Sequence, residues 1–183
     1  MSVSKNMYDS FREQSRYGKD WTYRQTIVKF VEKYRTAYLT RDIETVDLMF
    51  AEDALIIVGR KIQRRKMPEN AVRYTQFGEQ PGYEYLKLSK EQYINRQRRI
   101  FQSQQDLFLN FSTFDISKKN NAHGVYGVEM RQSYQSTTYA DEGYLFLLVD
   151  LSQNDPLIYV RAWQPNEWDE DDLVDASNFR VYK

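Results

Sequence analysis

Between residues 22 and 40 the apolar positions Ile27, Phe30, Val31, Tyr34 and Tyr38 recur at spacings of three, four and seven. That recurrence stacks them on one face at 3.6 residues per turn and predicts an amphipathic helix. Thr22, followed three residues later by Gln25, supplies a capping box for its start. Residues 1–20 ahead of it are polar and aperiodic and read as an arm or linker. Asp42 offers an N-cap for a second, short helix carrying Ile43, Val46, Met49 and Phe50 and ending near Glu52 and Asp53. The β-branched run from Ala54 to Val58, just before Gly59, is too short for a helix and predicts a buried strand.

Residues 64–88 hold Pro68, Gly78, Pro81 and Gly82 with no sustained period, so they read as an irregular excursion of the kind that forms lids and interfaces. Ser89 and Gln92 make a second capping box, opening a helix to about Gln104 with Tyr93, Ile94, Ile100 and Phe101 inward. From there the period changes to two. Segments 106–117, 124–136, 143–151 and 156–163 read as strands separated by turn chemistry at Lys118–Asn121, Ala140–Gly143 and Ser152–Pro156. Short links between consecutive strands predict antiparallel hairpins, hence a meander. The whole is an α+β pattern with helices on one face of a curved sheet, a single domain over residues 21–183 with an acidic tail from 166.

Composition narrows the function classes. Lys plus Arg and Asp plus Glu both number 26 in 183 residues, so no global charge argues for nucleic acid or an anionic membrane. There is no cysteine, which excludes disulfides, thiol nucleophiles and thiolate metal sites, and the one histidine, His123, cannot form a polyhistidine cage. No cofactor or metal is expected. Apolar runs fall far short of the roughly 18–20 residues of a membrane span, and the first residues lack the apolar run of a secretory signal. The sequence as it stands reads as cytoplasmic, or as exported if it is a domain of a longer chain.

Two stretches carry more than pattern: Asp42-Ile43-Glu44 at the step into the second helix, and Phe50-Ala51-Glu52-Asp53-Ala54 leading into the first strand. They resemble the opening of the nuclear transport factor 2-like superfamily, and the blocks at 139–150 and 158–165 are similar to its long closing strands. The resemblance implies a cone-shaped, curved antiparallel sheet with helices packed on its concave face and an apolar pocket at the open end. The pocket so implied is lined by Tyr34, Tyr38, Phe50, Val58, Tyr126, Phe146 and Trp163. The superfamily includes ketosteroid isomerase, dehydratases and hydrolases beside many non-enzymatic binding and dimerising domains, so the fold alone fixes no function. Aligned without gaps on Asp42 and Asp53, the isomerase's helix-1 tyrosine falls on Tyr34 and its base on Val58. A valine moves no proton, so that mechanism does not carry over.

Candidate chemistry is therefore sparse. Tyr34 suits a core tyrosine with a satisfied hydroxyl or a hydroxyl donor in a site. The weak acid candidates Asp141 and Glu142, just before Gly143, suit a solvated turn or a place at the pocket mouth. Asp53 suits a backbone cap, and His123 a solvent-facing turn. Basic residues at 60–66 and 96–99 face an acidic run over 167–175 as solvated surfaces or complementary docking patches. The aromatic residues of the meander suit a core, a pocket or a dimer interface, and an outer sheet face this rich in large side chains predicts a homodimer formed through the meander. The leading expectation is a non-catalytic pocketed domain that binds a small apolar ligand or associates with a protein. The alternatives are a small lyase or isomerase using Tyr34 and a late carboxylate, and a structural module of a larger, possibly exported protein.

Overall fold

The computed structural model describes residues 5–61, 83–104, 106–120, 122–166 and 173–179, with side chains from Gly18 onward except those of Lys61 and Tyr83. Helices α1 (Lys5–Leu39) and α2 (Ile43–Leu48) are followed by strands β1 (Phe50–Lys61) and β2 (Tyr83–Leu88), helix α3 (Lys90–Ser103), and strands β3 (Leu107–Lys118), β4 (Val125–Ser136), β5 (Ala140–Asp150) and β6 (Leu157–Pro165). The four late strands lie close to where the period-two pattern puts them.

The sheet runs in the order β2-β1-β6-β5-β4-β3. Its meander pairs antiparallel, as the short turns require, but β1 lies parallel to β6, with Ile56 opposite Arg161 and Val58 opposite Trp163. This corrects the expected architecture in two ways. The sheet is mixed, because β1 and β6 are joined through the whole intervening chain and are free of the antiparallel constraint of a hairpin. It is also open: β2 and β3 form two separate edges, and the sheet neither closes nor curls into a cone.

The local signals explain most of the helical boundaries. Asp42 caps α2, accepting from Thr45 N at 3.0 Å and from the Thr45 hydroxyl at 2.6 Å. That helix stops at Leu48 rather than at 52–53 because Phe50 already pairs with Ile158 and the Ile158 amide donates to Met49 O at 2.9 Å. The Ser89–Gln92 capping box is complete at the start of α3. Helix α1 departs from expectation. It begins at Lys5, and Thr22 lies inside it, its hydroxyl donating back to Gly18 O at 3.0 Å rather than capping a terminus. Residues 5–20 contain no proline and a single glycine, so propensity sustains the helix where no apolar stripe announces it. Strand β2 takes 83–88 of the expected irregular excursion, pairing Val58 with Leu86; its earlier residues lie outside those described. No helix among the described residues is long and apolar enough to cross a membrane.

Two apolar layers sandwich the sheet. On the helical side Ile27, Phe30, Val31, Tyr34 and Tyr38, the stripe read from the sequence, are all buried against β3–β6. On the other side Ile57, Phe146, Leu148, Val160 and Ala162 are covered by residues 173–179 of the same chain. The Phe179 ring stacks on Phe146 at 5.6 Å, and Gln164 accepts from the Val174 amide at 2.7 Å. Gly127 makes room for this strap, since a Cβ there would come within 2.9 Å of the Ala176 methyl group. Part of the outer face that predicts a partner is thus met by the chain itself.

Candidate functional site

Beneath α3 the helical layer leaves a cavity of about 780 Å³ against the sheet. Tyr93, Gln97 and Ile100 of α3 roof it, and Tyr38 closes its inner end. Its floor is built from strand residues that face the helices: Val58 on β1, Arg161 and Trp163 on β6, Gln132 and Tyr134 on β4, and Leu109 on β3. Gly143 fits the floor to Trp163, because a Cβ at that position would lie 3.0 Å from the indole and 2.2 Å from Gln164 O.

The deep end is polar. Arg161 stands in mid-sheet between Ile56 and Leu147, only 7% exposed. Its Nε donates to the Tyr34 hydroxyl at 3.1 Å, and its guanidinium lies 5.1 Å from the centre of the Tyr93 ring. Tyr34 donates to the Tyr38 hydroxyl at 3.1 Å, and Tyr38 and Tyr93 share a further, short hydrogen bond. Burial pushes the Tyr38 and Tyr93 hydroxyls well above the ordinary tyrosine range, so at neutral pH they are dipoles and not charges. Burial opposes the charge on Arg161; the tyrosines around it raise its pKa only as they themselves ionise, far above neutral pH, so at neutral pH it is a cation held by hydroxyl and ring dipoles alone. No carboxylate of the described residues forms an ion pair with it.

A carboxylate does stand in the same cavity. Asp141, opposite Tyr134 in the β4–β5 ladder, accepts from the Tyr139 hydroxyl through Oδ2 at 2.8 Å. Its Oδ1 is buried with no partner among the described residues, as is Nε1 of Trp163. Burial raises the Asp141 pKa, against the lowering influence of the Tyr139 hydrogen bond and of Arg161. Glu142 lies at the rim with its side chain exposed. Among the described residues no three metal-ligating side chains gather to hold an ion.

Of the residues proposed from sequence, Tyr38, Val58, Trp163, Asp141 and Glu142 line this cavity. Tyr34 adjoins it, fully buried, with its hydroxyl engaged by Tyr38 and Arg161. Phe50 packs behind the lining, 5.4 Å from the Tyr93 ring. Two proposed lining residues are elsewhere. Tyr126 donates to Asp20 of α1 at 2.8 Å and contacts Tyr23. Phe146 points to the opposite face, because its neighbours in the period-two alternation, Leu145 and Leu147, take the helical side. His123 is exposed. Arg161 and Tyr93 escaped the functional reading; the available signal was a charge set among apolar neighbours in Ile158–Trp163.

The arrangement defines an α+β domain with an open mixed sheet and a polar-ended cavity roofed by one helix. Among solved structures this is the fold of the NTF2-like proteins. The chain is similar to an NTF2-like protein from Cytophaga hutchinsonii at 14% identity and a TM-score of 0.55, over 78% of this chain and 97% of that one. It is similar to a protein provisionally described as scytalone dehydratase from Novosphingobium aromaticivorans at 10% identity and a TM-score of 0.59, over 82% and 88%. It also matches Bd1075 of Bdellovibrio bacteriovorus at 17% identity and a TM-score of 0.57, covering 91% of this chain but spanning only 45% of Bd1075. At such identities the likeness is one of fold. No protein-family model and no curated protein matches the sequence.

Proposed function

We propose that this domain binds a small amphipathic molecule in the cavity between α3 and the sheet. The observation that carries the reading is the cavity of about 780 Å³ itself, inside the range of ligand sites and lined by aromatic and aliphatic surface interspersed with charged, amide and hydroxyl side chains. Filling it tests the reading. An Ile100→Trp variant places an indole where the roof now leaves space, and it is expected to abolish the thermal stabilisation and chemical-shift changes that small aromatic acids and amides cause in the native protein. Binding that persists undiminished in this variant would falsify the assignment.

A second reading, proton transfer on a bound carbonyl compound, is favoured by the placement of Asp141 in the cavity with its pKa raised. The hydroxyls presented to a substrate are those of Tyr38 and Tyr93, not Tyr34, whose oxygen and hydrogen are both committed. Exchange of the α-hydrogens of small ketones in D2O, followed by NMR, measures it; rates identical in the native protein and Asp141→Asn defeat it. Association of two copies through the meander is a separate proposal, supported by the exposed Phe108 and Phe114 on edge strand β3. Sedimentation of a monomer at high micromolar concentration removes it.

A further inference from the structure

The deep end of the cavity presents hydrogen-bond donors in excess. Three tyrosine hydroxyls there hold three hydrogens, and two hydrogen bonds, Tyr34 to Tyr38 and the one shared by Tyr38 and Tyr93, consume two of them. Whichever way the second bond runs, one O–H has no acceptor among the described residues, on Tyr93 or on Tyr38, and both residues line the cavity. Beside it stands the Arg161 guanidinium, of which only Nε has a hydrogen-bond partner among the described residues, and the Trp163 indole N–H is buried without one among them. A buried cation, a spare hydroxyl hydrogen and an indole N–H with no partner among the described residues belong to side chains that line one cavity. Their common need is a negatively charged acceptor.

We infer that the cavity is a carboxylate-recognition site, in which the guanidinium of Arg161, the free hydroxyl of the Tyr38–Tyr93 pair and Nε1–H of Trp163 hold the carboxylate of a small aromatic or alicyclic acid. The inference rests on the cavity being a ligand site, as proposed above. A planar guanidinium with its terminal nitrogens free of partners among the described residues matches the two oxygens of a carboxylate. Among the other lining residues, Val58, Ile100 and Leu109 offer apolar surface to a ring. In the same cavity Asp141 Oδ1, buried with no partner among the described residues, accepts from a hydroxyl or amine carried by the same ligand.

Matched acids and amides test this, because they share shape and differ in charge. Phenylacetate, 4-hydroxyphenylacetate and indole-3-acetate, each paired with its primary amide, are titrated into the native protein, Arg161→Met, Tyr93→Phe and Ile100→Trp, with binding read by NMR on the arginine Nε–H and tryptophan Nε1–H signals. Each acid is expected to bind at least about tenfold more tightly than its amide, an advantage that Arg161→Met removes and Tyr93→Phe reduces. Tyr93→Phe keeps the ring beneath the guanidinium, so it keeps the test alive if the arginine variant does not fold. Acids and amides binding alike, with both lost in Ile100→Trp, would overturn the carboxylate site while leaving the ligand cavity standing. No binding of either class at about 10 mM overturns both readings.

Discussion

Replacing Arg161 by methionine is expected to stabilise the protein while it disables the site. The side chain is 7% exposed and has no ion-pair partner among the described residues, so folding takes a full charge out of water with only partial compensation. The compensation is one charge-assisted hydrogen bond to Tyr34 and one cation–π contact with Tyr93, together about 2–5 kcal/mol. Against it stands a desolvation cost of several kcal/mol for a buried ion, even after relaxation. Methionine fills a similar volume, flexes to fit, and leaves unsatisfied only the Tyr34 oxygen, an acceptor that still has its own donated bond. The balance favours the variant by about 1–2 kcal/mol, which in a chain of this length raises Tm by roughly 2–8 °C. Urea unfolding followed by tryptophan fluorescence and by far-ultraviolet circular dichroism measures it, with coincident curves as the check on two-state behaviour. A loss of about 1 kcal/mol or more would refute the reasoning, since it would mean that Arg161 is held by interactions stronger than those found here.

Three further outcomes are expected. Burial raises the folded-state pKa of Asp141 above its ordinary value of 3.8, so the folded protein holds that proton more tightly than the unfolded chain does, and stability falls as pH climbs through the window above 3.8. Asp141→Asn, which still accepts from Tyr139, is therefore expected to match the native protein below that window and to exceed it at neutral pH in urea titrations; the reverse trend contradicts the assignment. Gly143→Ala drives a methyl group to 2.2 Å from Gln164 O and against the Trp163 ring, and a loss of about 2–3 kcal/mol is expected by urea denaturation, with the Trp163 indole signal displaced. Phe179→Ala removes the ring stacked on Phe146 and is expected to cost about 2–3 kcal/mol, with hydrogen exchange at 174–179 accelerated well before that of β4. Unchanged protection of the strap would show that Phe179 does not anchor it.

The period-two pattern made β3 to β6 legible because each strand buries at least one face, and the capping box at Ser89 marked α3 because its side-chain bonds are local. Non-local pairing left no such mark. Nothing in the run Ala54–Val58 distinguishes a strand that takes β6 as a parallel neighbour from one at an antiparallel edge. The strap was hidden by its acidic surroundings, although Val174 and Phe179, with Ala176 packed beside them, dock it. Arg161 was hidden for a different reason: charge in a strand suggests the solvent side. Val160 and Ala162 both face the strap, so strict alternation places Arg161 among the helices, and the irregularity at Tyr159 blurs that inference. Tyr93 carried a clear helical period but no sign that its hydroxyl would meet those of α1.

The parallel seam between β1 and β6 also orders events in time. During synthesis β1 emerges early and gains β2 as a neighbour, but its other edge, with Ile56, Ile57 and Val58, has nothing to pair with until Pro165 has left the ribosome. Up to then the nascent chain displays an apolar strand with open hydrogen-bonding groups, the kind of surface that chaperones hold and aggregates recruit. The last hairpin, β5 to β6, forms locally and quickly by comparison, and its arrival converts two half-sheets into one. A chain halted before β6 is thus an adhesive fragment and not a smaller version of the fold. Pulse labelling of ribosome-bound chains stalled on either side of β6 would separate the two states by the protection of the β1 amides.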